Sequence, residues 1–286
     1  MTEKDVGALS EHRQMTVAPF TAHLEKWNVI PDGSPIETPS SWLMPVKRGA
    51  APAMLKVYKP LSDERHGTDY LKYIGGDGAV RVFDADDNAL LMERAVGPRS
   101  LCVMAVNGED VQAADILANV VERLHAPQAT RQIPKTLVPL AQQFASLFSR
   151  ASEHSLLKKC AAVACKLLEH EGDIIPMHGD LHHSNVLDGG AGGWLAIDPK
   201  GLIGERAYEV ANLLGNPSPH GEIVHDSERM SRLARLYAAR LNLDLHRVFA
   251  YAFAHAGLAA SWDIDDGLDP GYRFKCIEVL KPLVVA

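Results

Sequence analysis

The chain has 286 residues, a length that fits about two domains at roughly 150 residues each. Lys and Arg number 29 against 36 Asp and Glu, 47% of residues are apolar and 23% are charged, a balance that excludes a disordered chain and disfavours nucleic acid, whose phosphates need a basic surface. The net charge of −7 suits a cationic small ligand.

The first residues, MTEKDVGALSEHRQMT, have no apolar core and do not read as a signal peptide. No apolar stretch approaches the roughly 18–20 residues that span a bilayer. The four cysteines, at 102, 160, 165 and 276, lack CxxC spacing and read as small core hydrophobes of a reducing compartment. The expectation is a cytoplasmic protein that meets neither membrane nor nucleic acid.

In chain order, residues 18–28 carry apolar side chains at helical spacing, and the Gly and Pro between Gly33 and Thr38 end that helix. SWLMPVK and AMLKVYK, separated by RGAAP, predict a β-hairpin. Ser62 predicts the cap of a following helix, with Asp63 and Glu64 in the first turn, and Gly75-Gly76-Asp77-Gly78 predicts its end. AVRVFDADDNALLMERA predicts a second hairpin with Asp86-Asp87-Asn88 at its tip. After Gly97-Pro98 the pattern turns helical through DVQAADILANVVERLH and SLLKKCAAVACKLLEH, returns to strands at IIPMHGD, SNVLDG and GGWLAID, and is helical again from Ala207. There is no internal repeat. The expected organisation is α+β in two lobes divided near Gly97.

The chemistry concentrates in HGDLHHSNVL and LAIDP. Asp180 precedes Asn185 by five positions and Asp198 follows Asn185 by thirteen, with apolar residues around each. Phosphoryl transfer needs a carboxylate to orient the attacking hydroxyl, oxygen ligands for Mg²⁺ and a cation on the phosphates. A hard ion selects oxygen donors, which Asn185 and Asp198 supply. His182 and His183 read as loop-packing residues, since zinc usually takes three or four convergent ligands. Tyr251, Phe253 and Trp262 read as core aromatics.

HGDLHHSN with IDP resembles the phosphotransferase motif of the aminoglycoside phosphotransferases, relatives of the protein kinases. IDPKGLIGERAYEVANLL and DERHGTDYLKYIGGDGAVRVF resemble the streptomycin 6-phosphotransferase and hydroxyurea phosphotransferase branch. The likeness runs from about Trp42 to Trp262 and implies a protein-kinase-like two-lobe fold. Residues 1–96 would form a β-rich nucleotide-binding lobe, and 97–286 a larger, mainly helical lobe for catalysis and substrate. It implies transfer of a phosphate from ATP with Mg²⁺ to a hydroxyl of a small molecule, an aminoglycoside such as streptomycin. Left open beside it are a kinase of an unrelated sugar or amino alcohol, and a catalytically weak nucleotide-binding module.

The resemblance also assigns roles. Asp180 orients or accepts the proton of the attacking hydroxyl, and Asn185 and Asp198 hold Mg²⁺. Lys56 contacts the α- and β-phosphates, held by Glu64 or by Asp69. Backbone groups of Glu93 and Ala95 meet adenine, and His178 and Glu209 buttress the catalytic loop. The phosphate-covering loop has no GxGxxG. Ser40-Ser41-Trp42 stands there, so backbone amides or serine hydroxyls, Ser41 among them, would contact the phosphates. Lys200 adds a cation beside the site. Asp263, Asp265, Asp266 and Asp269 after the last long apolar helix read either as a solvated turn or as a wall for a cationic substrate, because carboxylates bind guanidinium groups in bidentate fashion.

Overall fold

The computed structural model describes residues 18–60, 65–126 and 131–285. Their contacts divide into two compact units. One holds the described residues up to 60 with Phe83–Arg94, and the other holds 65–82 with those from Ala95 on. The helix Arg65–Ile74, which the sequence put in the first lobe, therefore lies in the second unit.

The first unit is built on one sheet of six strands: β1 (Ile30–Pro31), β2 (Ile36–Glu37), β3 (Ser41–Arg48), β4 (Ala51–Tyr58), β5 (Val82–Ala85) and β6 (Ala89–Glu93). The order is β1-β3-β4-β6-β5, with β2 also on β3. Both expected hairpins form. Asp86 ties the second tip by accepting from Asn88 N at 2.9 Å and Ala89 N at 3.0 Å. Period-two alternation turns Met44, Val46, Ala53, Leu55, Val57 and Leu91 into one core with Phe20 and Val29.

The second unit is mainly helical. Its long helices are Asp110–Leu124, Ser155–Glu169, Ser227–Leu241, Leu245–Asp265 and Gly271–Val285. Among the described residues no helix is long and apolar enough to cross a membrane. Two small sheets interrupt the helices. β7 (Val138–Pro139), β8 (Ile174–Met177) and β11 (Leu202–Glu205) form one, with β11 in the middle. β9 (Val186–Asp188) and β10 (Trp194–Ala196) form an antiparallel hairpin.

β7 and β11 are strands that the sequence did not announce. Each is too short to show alternation, and pairing across the sheet makes them strands. Cys160 and Cys276 are buried as expected, but Cys165 is exposed on its helix. Tyr251 and Phe253 are core residues, whereas Trp262 is half-buried with the Lys200 ammonium 5.7 Å from its ring centre.

Candidate active site

The segment after β8 is a loop whose backbone is fixed from inside. Glu209 is buried and accepts from the amides of His178 at 2.8 Å and Gly179 at 2.9 Å. Burial pushes the Glu209 carboxyl up, but the hydrogen bonds from His125 and from the Gly179 amide outweigh it, so it sits below its ordinary value and stays ionised. His178, also buried, bonds Ile197 O through Nε2 at 2.8 Å and takes the Asp180 amide on Nδ1 at 3.2 Å. Those two bonds require a neutral ring protonated on Nε2, and burial, the main cause, holds its pKa below the ordinary value. His182, four residues on, repeats the device, with Nδ1 accepting from Ser184 N at 3.2 Å.

The hairpin explains the spacing of thirteen. Val186 pairs with Ala196, and Ile197 N donates to Asn185 O at 2.8 Å. The two strand ends therefore bring Asn185 and the Ile197-Asp198 step together. Asn185 Nδ2 donates to Asp180 O at 2.9 Å, which turns its amide oxygen into the acceptor left for a ligand. Asp198 sits at φ +59, a region few non-glycine residues adopt, with Asp among those that tolerate it.

The backbone beside Asp198 is held by a close approach. A Cβ on Gly67 would stand 2.1 Å from Pro199 O, so only glycine lets the Arg65–Ile74 helix lie against this loop. Lys200 N and Gly201 N both donate to His178 O, at 2.8 and 3.3 Å, and this closes the loop onto the catalytic segment.

Asp180 is half-buried, and Asn212 Nδ2 donates to its Oδ1 at 3.0 Å. Burial pushes its carboxyl up to about 6. Lys200 and Arg273 pull against that, while Asp198 and Glu209 add to it. A carboxylate with a pKa near neutrality is suited to take a proton from an alcohol. Lys200 therefore opposes the effect of burial on Asp180, and its ammonium lies over the Trp262 ring.

An oxygen pair of one amide and one carboxylate fits Mg²⁺, which keeps several waters and draws further oxygens from phosphates. Among the described residues no group of three or more His, Cys, Asp or Glu gathers as a metal site, so the chain itself offers only a small share of a coordination shell here. His182 and His183 form no such site either.

Lys56, Ser41 and Glu93 lie in the first unit. Leu55 and Val57 enter the core, so Lys56 between them takes the opposite face of the sheet, yet it is only 7% exposed. The Ser41 hydroxyl is buried and bonded to Thr38 Oγ1 at 2.9 Å, which turns it into the β-turn. Glu93 ends β6 opposite Ala53, and Ala95 begins the next stretch of the second unit. Glu64 lies outside the described residues. Its alternative, Asp69, accepts from Thr136 Oγ1 at 2.7 Å.

The aspartates at the end of the Leu245–Asp265 helix do not share one face. Asp265 is held by Arg150 Nε at 2.6 Å and by the Ser146 hydroxyl. Asp263, two residues earlier and so turned away, meets Arg273 Nε at 3.5 Å. Burial raises its pKa, Arg273 opposes, and Asp266 and Asp269 add to the rise. Asp266 is exposed at the helix end. Sequence reasoning missed Asn212 and Asn216. They stand in AYEVANLLGN, where an asparagine looks like an ordinary helix-end residue.

The family model for aminoglycoside/hydroxyurea antibiotic resistance kinase matches residues 26–267. A streptomycin 3''-kinase of Klebsiella pneumoniae is 42% identical over 247 residues, which cover 85% of this chain and 92% of that protein. A streptomycin 6-kinase of Streptomyces griseus is 29% identical over 86% of this chain and 82% of its own. In fold, the crystal structure of a choline/ethanolamine kinase family protein from Mesorhizobium loti aligns with a TM-score of 0.62 at 15% identity, covering 94% and 95% of the two chains. The chain has a kinase-like α+β fold and belongs to the aminoglycoside/hydroxyurea antibiotic resistance kinase family.

Proposed function

We propose that the protein transfers the γ-phosphate of ATP to a hydroxyl group of an aminoglycoside of the streptomycin type. The observation that carries this is Asp180: a half-buried carboxylate, raised to about 6, beside the hairpin end that holds Asn185 and Asp198. The 42% identity to a streptomycin kinase supports the choice of acceptor.

In this reading Asp180 takes the proton of the acceptor O–H. A bond forms between that oxygen and the γ-phosphorus, and the bond from phosphorus to the β–γ bridging oxygen breaks, its electron pair leaving with ADP. Asn185 and Asp198 would hold Mg²⁺, which when bound neutralises charge on the β- and γ-phosphates. Lys56 serves the α- and β-phosphates. The backbone of Glu93 and Ala95 serves adenine, and His178 and Glu209 keep the loop in shape without touching the phosphate. A cationic group of the acceptor would meet the exposed Asp266, since Asp265 is engaged by Arg150 and Asp263 faces Arg273.

The test is Asp180→Ala with folding checked by thermal melting. ADP release with ATP and streptomycin should fall on the order of 10²–10⁴-fold. A rate within a few-fold of the parent overturns the assignment of the base.

A further inference from the structure

Asp180 has two carboxylate oxygens, and the structure does not treat them alike. Oδ1 receives the Asn212 amide at 3.0 Å, while no described residue donates a hydrogen bond to Oδ2. The direction of that bond is not free. Asn216 Nδ2 donates to Asn212 Oδ1 at 2.9 Å, so turning the Asn212 amide over would set two NH₂ groups against each other and a carbonyl against the carboxylate. Asn216 is itself locked, because its Nδ2 also donates to Asn212 O at 2.8 Å and its Oδ1 accepts from Ser218 N at 3.2 Å. The chain of contacts ends in a rigid anchor. Arg229, only 3% exposed, donates to Asn216 O at 3.0 Å and grips Asp110 through Nε at 3.0 Å and Nη2 at 2.7 Å.

We infer that Asn212 is a positioning residue for the phosphotransfer, holding Oδ1 of Asp180 so that Oδ2 is the atom that takes the acceptor's proton, with Asn216 fixing which way Asn212 donates. The inference rests on the reading of Asp180 as the base. The residue type makes physical sense. A general base must keep its affinity for a proton, and a lysine or arginine in that place would lower a carboxyl pKa by about 1–3 units. A neutral amide fixes the carboxylate plane with a single hydrogen bond and leaves the basicity of the other oxygen largely intact. Rotation of the Asp180 side chain away from the line of transfer is what the bond prevents, and misplacement on the order of 1 Å costs about 10²-fold in rate.

The experiment is a double-mutant cycle read as ADP release at saturating ATP, with streptomycin as the acceptor probe. Asn212→Ala should lower kcat about 10- to 100-fold while KM for ATP and streptomycin stays within about twofold. In the Asp180→Asn background, where no base remains to be aimed, the same substitution should change the residual rate by less than about twofold. Equal fractional losses in both backgrounds, or a loss confined to KM, overturn the inference and leave Asn212 a structural residue. Thermal melting accompanies each variant. If Asn212→Ala does not fold, Asn212→Ser is taken through the same cycle with the same criteria. Streptomycin that brings no acceleration over water removes that acceptor from the proposed function, and the cycle is then read on ATP hydrolysis. An absence of ADP with either acceptor overturns the kinase reading and this inference together.

Discussion

Asp180, Asn185 and Asp198 can be grouped from the sequence because a loop and a hairpin bring together residues that are near in the chain. Asn212 could not be. It reaches Asp180 from a helical turn 32 residues away, and nothing in its neighbours marks it as facing a carboxylate. Buried histidines carry a pH signature at this same scale. Burial, reinforced by nearby cations, pushes His183 and His255 down to about 3, and they are 2% and 6% exposed. An unfolded chain protonates both near 6.5, and the folded chain does not. Their contribution to stability is therefore intact above pH 6.5 and is lost progressively as pH falls towards 3. Each histidine should cost about 2 kcal/mol at pH 5. Urea unfolding at pH 7.5 and pH 5.0 should show a drop of that order per residue. A flat profile over that interval would mean these rings gain solvent or partners in the native state.

Elements were legible where their period was long enough to show. The hairpins and long helices appear where the alternation places them, while β7 and β11 depend on pairing that a single segment cannot advertise. The contact between the Arg65–Ile74 helix and the Asp198-Pro199 step belongs to this scale too. Gly67 looks like a weak point in a helix until its neighbour is known. A methyl group there has no room against Pro199 O, so helix and loop must part. Gly67→Ala should lower the melting temperature, with a loss of about 1–3 kcal/mol, and should depress phosphotransfer further than the stability change explains, because the displaced loop carries Asp198. Activity at the parental level in a folded Gly67→Ala protein would show that the loop does not need this support.

At the scale of the whole molecule, composition and patterning gave the α+β class but not the way the chain is shared out. The stretch 65–82 belongs with the second unit, through Tyr70, Leu71 and Ile74 in its core and through Ala79, which bridges to Ala196. A boundary at Gly97 follows the change in periodicity and misses this, since periodicity reports what an element is and not what it packs against. A fragment of residues 97–286 should therefore lose the helix that covers the Asp198 loop, and calorimetry should find no cooperative transition near that of the full chain. A fragment that melts like the parent would show the helix to be dispensable.

The same arrangement has a consequence for how the protein is made. Gly67 leaves the ribosome about 130 residues before Pro199, the residue it lies against, which at roughly 5–20 residues per second is a delay of about 7 to 26 seconds. During that interval the helix lacks the loop it packs against, so the buried side chains Tyr70, Leu71 and Ile74 reach their full native cover only after the catalytic segment has been translated.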